Sequence, residues 1–277
     1  KGKGGGLAVA ASNAATTVTL VLSDILGDPL DLIASGPTVR DDSTCKDALA
    51  LIQSNKLKLP PSVHRVIEQG ARDEDNGTST NDSFPSNTHT VLVGNNELAV
   101  TAAADTAASL GYNPVVLSTM LTGEAKDMAG MYTAMAHQLK QQQDGSKNNK
   151  YAVASLPVAL LAGGETTVTL DAANSGKGGR NQELALAAAV QLKELKLRNV
   201  VLASIGTDGT DGPTDAAGAL VDGSTVDRIE KGDAMEALSK HDAYNYFSEV
   251  DKDGRCSLLK TGPTGTNVAD VCVTLIR

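Results

Sequence analysis

The chain alternates short apolar runs with stretches of helical spacing, and this alternation is its first structural statement. Thr16-Thr17-Val18-Thr19-Leu20-Val21-Leu22 is β-branched and apolar, ends in Ser23-Asp24, and predicts a buried strand after a short alanine-rich helical turn near 7–13. Helical spacing follows over 43–55, and Pro60-Pro61 begins a second helix over 60–70. Residues 71–88, rich in Asp, Asn, Ser, Thr and Gly, predict a surface loop. A strand at 90–94, a helix over 97–110, a break at Gly111-Tyr112-Asn113-Pro114 and a strand at 115–118 then form a strand–helix–strand unit. A helix at about 124–143 closes this block.

Gln141–Lys150 is polar and of low complexity, and the shift in composition puts a domain boundary between 150 and 151. The second block predicts strands at 158–162 and 166–170, a glycine-rich loop at 174–179 and a long helix over 183–195. A strand at 199–204, a loop over 206–218, a helix around 233–240 and a last strand at 268–276 complete it. Strands and helices alternate throughout, so the expected class is α/β.

Composition narrows the chemistry. Aromatic residues are 3% of the 277, with no Trp, so Ala, Val, Leu and Ile must fill the core. A net charge of −9 argues against a nucleic-acid partner, which needs a basic face. It leaves room for a small anion held by a few focused cations or backbone amides. No apolar run reaches the roughly 18 residues that a membrane span needs, so no membrane partner is expected. Cys45, Cys256 and Cys272 match no metal or disulfide spacing and read as free thiols of a reducing compartment. A cytoplasmic location is expected; because the chain opens on Lys1 rather than Met, a removed targeting peptide leaves a mitochondrial one open. Asn76-Gly77-Thr78 and Asn81-Asp82-Ser83 fit a glycosylation sequon and read as chance matches.

Four loops gather small and polar residues at the ends of apolar strands, where ligands of open α/β sheets bind. In Ser23-Asp24-Ile25-Leu26-Gly27-Asp28-Pro29, Asp24 and Asp28 suit a divalent cation, or are turn formers. Gly163-Gly164-Glu165-Thr166 and Gly176-Lys177-Gly178-Gly179-Arg180-Asn181-Gln182-Glu183 let backbone approach a ligand closely. Arg180 stands at a helix start, where the dipole disfavours a cation, which suggests an anionic partner; solvation is the alternative. Gly206-Thr207-Asp208-Gly209-Thr210-Asp211-Gly212-Pro213-Thr214-Asp215 is dense enough in carboxylates for metal or general-base work, or is a turn cluster. Lys260-Thr261-Gly262-Pro263-Thr264-Gly265-Thr266-Asn267 could wrap an anion. His64, His89, His137 and His241 fall outside these loops and read as surface or core residues. Neither a dinucleotide fingerprint nor a full P-loop is present.

In this order the loops resemble the class II glycerate kinases that carry the MOFRL domain. The matching stretches are 22–29 with 33–38, 163–166, 178–183, 207–215 and 261–268. The resemblance implies a Rossmann-like parallel sheet with flanking helices over 1–150, being the C-terminal part of a first domain, and a smaller α/β MOFRL domain over 151–277. It implies ATP-dependent phosphorylation of D-glycerate with Mg2+ in a cleft between the domains. Arg180, Asp208 and Asp211 would be catalytic. Gly163, Gly164, Glu165, Thr166, Asn181, Thr207, Thr264 and Asn267 would bind substrate or nucleotide, and Asp24 and Asp28 the metal. Members of the family are longer, and their N-terminal half carries a Ser-Gly-Gly-Gly-Ser-Ala-type loop and a catalytic lysine that have no match here. A non-catalytic folded fragment is therefore the alternative, a hydroxypyruvate reductase a more distant one, and homo-oligomer formation is left open.

Overall fold

A computed structural model describes residues 2–75, 84–143, 154–170, 175–229 and 233–277. It shows an α/β chain whose contacts divide it into two compact units: residues 1–21 with 29–92, and residues 22–28 with 93–277. The two sequons, the centre of the polar linker and the 150/151 boundary lie outside the described residues.

The first unit contains α1 (Gly6–Ala10), most of β1 (Thr17–Leu22), α2 (Cys45–Ser54), α3 (Pro61–Asp75) and most of β2 (Thr88–Gly94). The opening glycine run has a structural task. Gly4 and Gly5 adopt φ of 55° and 78°, and their amides donate to the Ser35 and Gly36 carbonyls at 2.9 and 2.7 Å. A side chain at Gly5 would press on the Val39 carbonyl, so the close approach requires glycine. Thr44 and Asp47 form a reciprocal capping box at the start of α2. β1 and β2 pair as a two-stranded sheet that leaves Leu20 68% and Val18 59% exposed.

The second unit is built on a six-stranded sheet of order β3-β4-β8-β5-β6-β7. Its strands are β3 (Asn113–Leu121), β4 (Val158–Gly164), β5 (Val200–Gly206), β6 (Gly218–Asp222), β7 (Leu258–Leu259) and β8 (Asp270–Ile276). β3 and β4 run parallel, while β8 lies antiparallel to both β4 and β5. The β3-β4-β8 part of the sheet carries helices on both faces. Val158, Leu160 and Ala162 of β4 point to the face covered by α5 (Ala125–Gln143) and α6 (Arg180–Glu194). Ala159 and Leu161 point to the other face, against Val100 and Ala107 of α4 (Asn96–Ser109). Every residue of β4 is buried.

Small residues make the packing close. Ala125, Ala129 and Ala136 of α5, with Ala185, Ala188 and Ala189 of α6, are fully buried. Beyond β6 the chain forms α7 (Ala234–Ser239) and α8 (Ala243–Val250), and Phe247 of α8 is fully buried in the same core. Among the described residues no helix is long and apolar enough to cross a membrane.

Three expectations change. Residues 166–170 do not make a strand: Thr167 forms only an isolated bridge with Glu124, and the Thr169 amide and hydroxyl bond the Glu124 carboxylate instead of a neighbouring strand. β6 and β7 lie within stretches whose Gly and Asp content hides them, and α8 follows α7 after a break at Lys240–Asp242 too short to announce a second helix. β1, expected as a buried strand, instead alternates half-buried and exposed residues; α6 begins at Arg180, the helix start read from the sequence, with its first amides capped from another loop.

Leu161 is fully buried between layers, so Leu161→Ala is expected to cost about 2–5 kcal/mol in urea unfolding, whereas Leu20→Ala on exposed β1 costs under about 0.5 kcal/mol. Equal effects would contradict this packing. The three cysteines are free thiols. Burial pushes the Cys272 thiol up to about 12, and Cys256 is exposed. A thiol reagent at neutral pH is expected to label Cys256 in the native protein and Cys272 only after unfolding, read by peptide mass spectrometry.

Candidate functional site

β4, β5 and β8 deliver three of the sequence-identified loops to the second unit, and the loop ahead of α6 adds a fourth. β4 ends in Gly163-Gly164, where both glycines are sterically required. A side chain at Gly163 would collide with Asn96, and one at Gly164 (φ 150°) with the Leu121 backbone. Asn96 uses its amide to bond the Val268 and Asp270 carbonyls at 2.8 and 2.9 Å, tying α4 to the entry of β8. Glu165 follows, with its backbone amide bonded to the Leu121 carbonyl at 2.8 Å.

Arg180, the first residue of α6, stands between two carboxylates. Its Nε and Nη2 donate to both oxygens of Asp270 at 2.6 and 3.0 Å, and its Nη1 donates to Glu165 at 2.9 Å. Burial alone would lower the guanidinium pKa; the Asp270 hydrogen bonds, with the charges of Asp270, Glu165 and Asp211, outweigh it and leave it above the ordinary value. The anionic partner that the helix dipole argument demands is thus supplied from within the chain. Asp270 escapes the sequence reading because it sits at the head of an apolar strand, outside every polar loop.

Asp211, which the resemblance makes catalytic, lines the cavity described below and also caps α6. Gly179, the N-cap of α6, has no side chain, and the Asp211 carboxylate takes its place. It accepts from the Asn181 and Gln182 backbone amides at 3.1 and 2.9 Å and from the Gln182 side chain at 2.9 Å. Burial raises its carboxyl pKa, against the opposing pull of the bonds from Gln182 and Asn181. Asn181 turns its Oδ1 to the buried Ser204 hydroxyl at 2.6 Å, so it too is engaged internally.

Three further glycines serve approaches between loops. A side chain at Gly179 would strike Asp211, one at Gly212 the Gly178 carbonyl, and one at Gly209 the Gly262 carbonyl. Thr264 seals the last pair, donating its hydroxyl to the Thr207 carbonyl at 2.6 Å and its amide to the Asp208 carbonyl at 3.2 Å. Thr207 bonds the Ala269 carbonyl at 2.7 Å. Asp208 is half-buried and accepts from the Thr210 amide at 2.9 Å, an Asx-turn.

These loops enclose a cavity of about 830 Å³, whose wall includes Glu165, Thr166, Arg180, Asp208, Thr210, Asp211 and Gly176. The size suits a small-molecule ligand. His241 also lines it, against the sequence expectation, with Nδ1 2.9 Å from the buried Glu183 carboxylate. No motif marks it; it lies in the turn between α7 and α8 that the sequence pattern does not resolve. Gly163, Gly164, Asn181, Thr207, Thr264 and Asn267 are not in the cavity wall and support the loops that are.

Asp24 and Asp28 do not line this wall themselves, although Leu26 between them does. Asp24 accepts from the Asn267 side chain at 3.1 Å and Asp28 from the Asn95 side chain at 2.6 Å. Among the described residues no three His, Cys, Asp or Glu side chains group closely enough to hold a metal ion. The two aspartates are fixed by amides rather than by each other.

Comparison with known proteins gives two family matches: the MOFRL family over residues 158–270, and a domain of unknown function, DUF4147, over 1–68. The chain is 39% identical to a glycerate 2-kinase of Pyrococcus horikoshii, covering all of this chain and 59% of that protein. It is 37% identical to a glycerate kinase of Macaca fascicularis, covering 99% of this chain and 76% of that one. The crystal structure of a Thermotoga maritima glycerate kinase superposes with a TM-score of 0.82 at 37% identity, over all of this chain and 60% of its own. The chain therefore spans about three fifths of the Pyrococcus and Thermotoga proteins.

Because Asp211 caps α6, Asp211→Ala is expected to lower stability by about 2–4 kcal/mol, the loss of a cap plus unsatisfied buried amides. A urea midpoint unchanged from wild type would show that the cap is dispensable.

Proposed function

Since the chain belongs to the family of glycerate kinases that carry the MOFRL domain, we propose that its protein transfers the γ-phosphoryl group of ATP to D-glycerate. The observation that carries this reading is Arg180, a guanidinium held bidentate by Asp270 on the wall of a cavity of small-ligand size. Phosphoryl transfer needs mainly positioning and charge neutralisation, and a fixed cation beside the ligand supplies both. Arg180 would hold an anionic group of the substrate or nucleotide. Asp208, which lines the same cavity, would accept the proton of the attacking hydroxyl. Thr166 and Thr210 add hydroxyls to the wall.

Mg2+ enters this reading as the companion of the ATP phosphates. The ion takes few protein carboxylates, and Asp24 or Asp28 remains the proposed contact, each already steadied by an asparagine. Asp211 is reassigned from chemistry to holding the helix that presents Arg180. The matched ranges support reading residues 1–150 as part of the first kinase domain and 151–277 as the MOFRL domain. The Pyrococcus relative is named a 2-kinase, and 2-phosphoglycerate is the proposed product. A cytoplasmic site of action is proposed on the free thiols. Hydride transfer from NADH to hydroxypyruvate is ranked below this, because the chain has no dinucleotide fingerprint.

The test supplies ATP, Mg2+ and D-glycerate to this chain and to a longer protein, extended to the length of its relatives, with enolase as coupling enzyme. Enolase consumes 2-phosphoglycerate directly, so a signal without added mutase identifies the product. Activity of the extended protein is expected, with Arg180→Ala lowering kcat/KM at least about tenfold. Oxidation of NADH that depends on hydroxypyruvate would overturn the kinase reading, and full activity of the arginine variant would remove Arg180 from the site.

A further inference from the structure

The two carboxylates on Arg180 hold it unequally. Asp270 stands at the head of a central strand, with its side chain 9% exposed and its carbonyl tied to Asn96. It takes two of the guanidinium's hydrogen bonds in the planar bidentate geometry that fixes orientation as well as charge. Glu165 makes one bond, to Nη1, from a side chain that is 46% exposed. Its backbone is anchored at Leu121, so only the side chain is free to swing. Both Arg180 and Glu165 line the cavity, and Asp270 does not.

An anionic ligand entering this cavity meets a cation already over-compensated, with two negative charges on one positive. If the ligand were added, three anionic groups would crowd one guanidinium; if it replaced Glu165, only two would remain in contact with it. Like charges in contact are costly in a partly desolvated site, so replacement is favoured.

We propose that Glu165 is an exchangeable latch on Arg180, displaced from Nη1 by an anionic oxygen of the ligand, and that Asp270 is the positioning residue that keeps the guanidinium aimed into the cavity. This rests on the site reading above, but it concerns binding and needs no turnover. The latch keeps the arginine ordered and neutralised before the ligand arrives, and it sets a threshold that weakly charged solutes do not pass. The same chemistry serves a carboxylate, as in glycerate, or a phosphate, as in the nucleotide.

Calorimetric titration of this chain with D-glycerate and, separately, with inorganic pyrophosphate tests both roles. Glu165→Gln is expected to bind one or both probes more tightly, by about fivefold, because the competing charge is gone. The probe that gains identifies whether carboxylate or phosphate takes the place of Glu165. Unchanged or weaker binding of both would overturn the latch, as would failure of both probes to bind wild type and variant alike. Asp270→Asn is expected to weaken binding and to remove the exchange protection of the Arg180 Nε proton in side-chain NMR; Glu165→Gln retains that protection. Asp270→Glu, which keeps the charge, is expected to restore part of the affinity. An Nε signal and an affinity both unchanged in Asp270→Asn would overturn the positioning role. If Asp270→Asn fails to fold, the Nε signal and affinity of Asp270→Glu and Glu165→Gln still decide. Absence of phosphoglycerate from the extended protein would count against the kinase reading and leave these binding results standing.

Discussion

A helix whose first turn is enclosed by protein must find partners for amides that have no acceptor within the helix, and in α6 the acceptor comes from about 30 residues away. Asp211 supplies it. Asn181, Gln182 and Glu183 are all buried, so water has no access to those amides. The carboxylate accepts two backbone amides and pins the 206–215 loop to the start of α6. From that contact the rest of the site follows. Gly179 must be glycine because Asp211 occupies the space of its side chain, and Arg180 is then turned outward from the first helical position toward Asp270 and Glu165.

The sheet order gives this contact its reach. β8 lies between β4 and β5, so Glu165 after β4, Asp208 and Asp211 after β5, and Asp270 at the head of β8 gather at one end of these central strands. β8 is antiparallel to both neighbours, which places its first residue beside their last ones: Asp270 pairs with Gly164 and with Gly206. Glu165 and Asp270, far apart in the chain, thereby meet around one guanidinium. A wholly parallel sheet would have carried Asp270 to the opposite end.

Legibility followed this division between local and non-local causes. The strands expected at 158–162 and 199–204 and the helices expected at 43–55 and 124–143 were readable, to within a few residues at their ends, because apolar runs and helical spacing are local signals. The loops were readable for the same reason, as polar residues interrupting apolar strands. Partnership between loops was not. Nothing near Asp211 distinguishes a carboxylate that caps a distant helix from one that faces a ligand, and nothing near Asp270 marks it as the partner of Arg180. The misread strand at 166–170 shows the same limit, since its β-branched residues have the right propensity but Glu124 takes the hydrogen bonds a neighbouring strand would need.

The glycines change meaning most. Close approach of backbone to a ligand and close approach of backbone to backbone demand the same residue, and sequence cannot separate them. Here Gly179, Gly209 and Gly212 each face another loop, so three glycine-rich segments interlock. Interlocked loops lose their freedom when the chain folds rather than when a ligand binds, and the ordering cost is then met by the packing of the core. A cavity framed in this way presents its charges already oriented, which is what phosphoryl transfer asks of a protein that contributes little covalent chemistry. The half-exposed Glu165 side chain is left as the part of that charge array with room to move, and the cation it covers is the one that α6, Asp211 and Asp270 together hold in place.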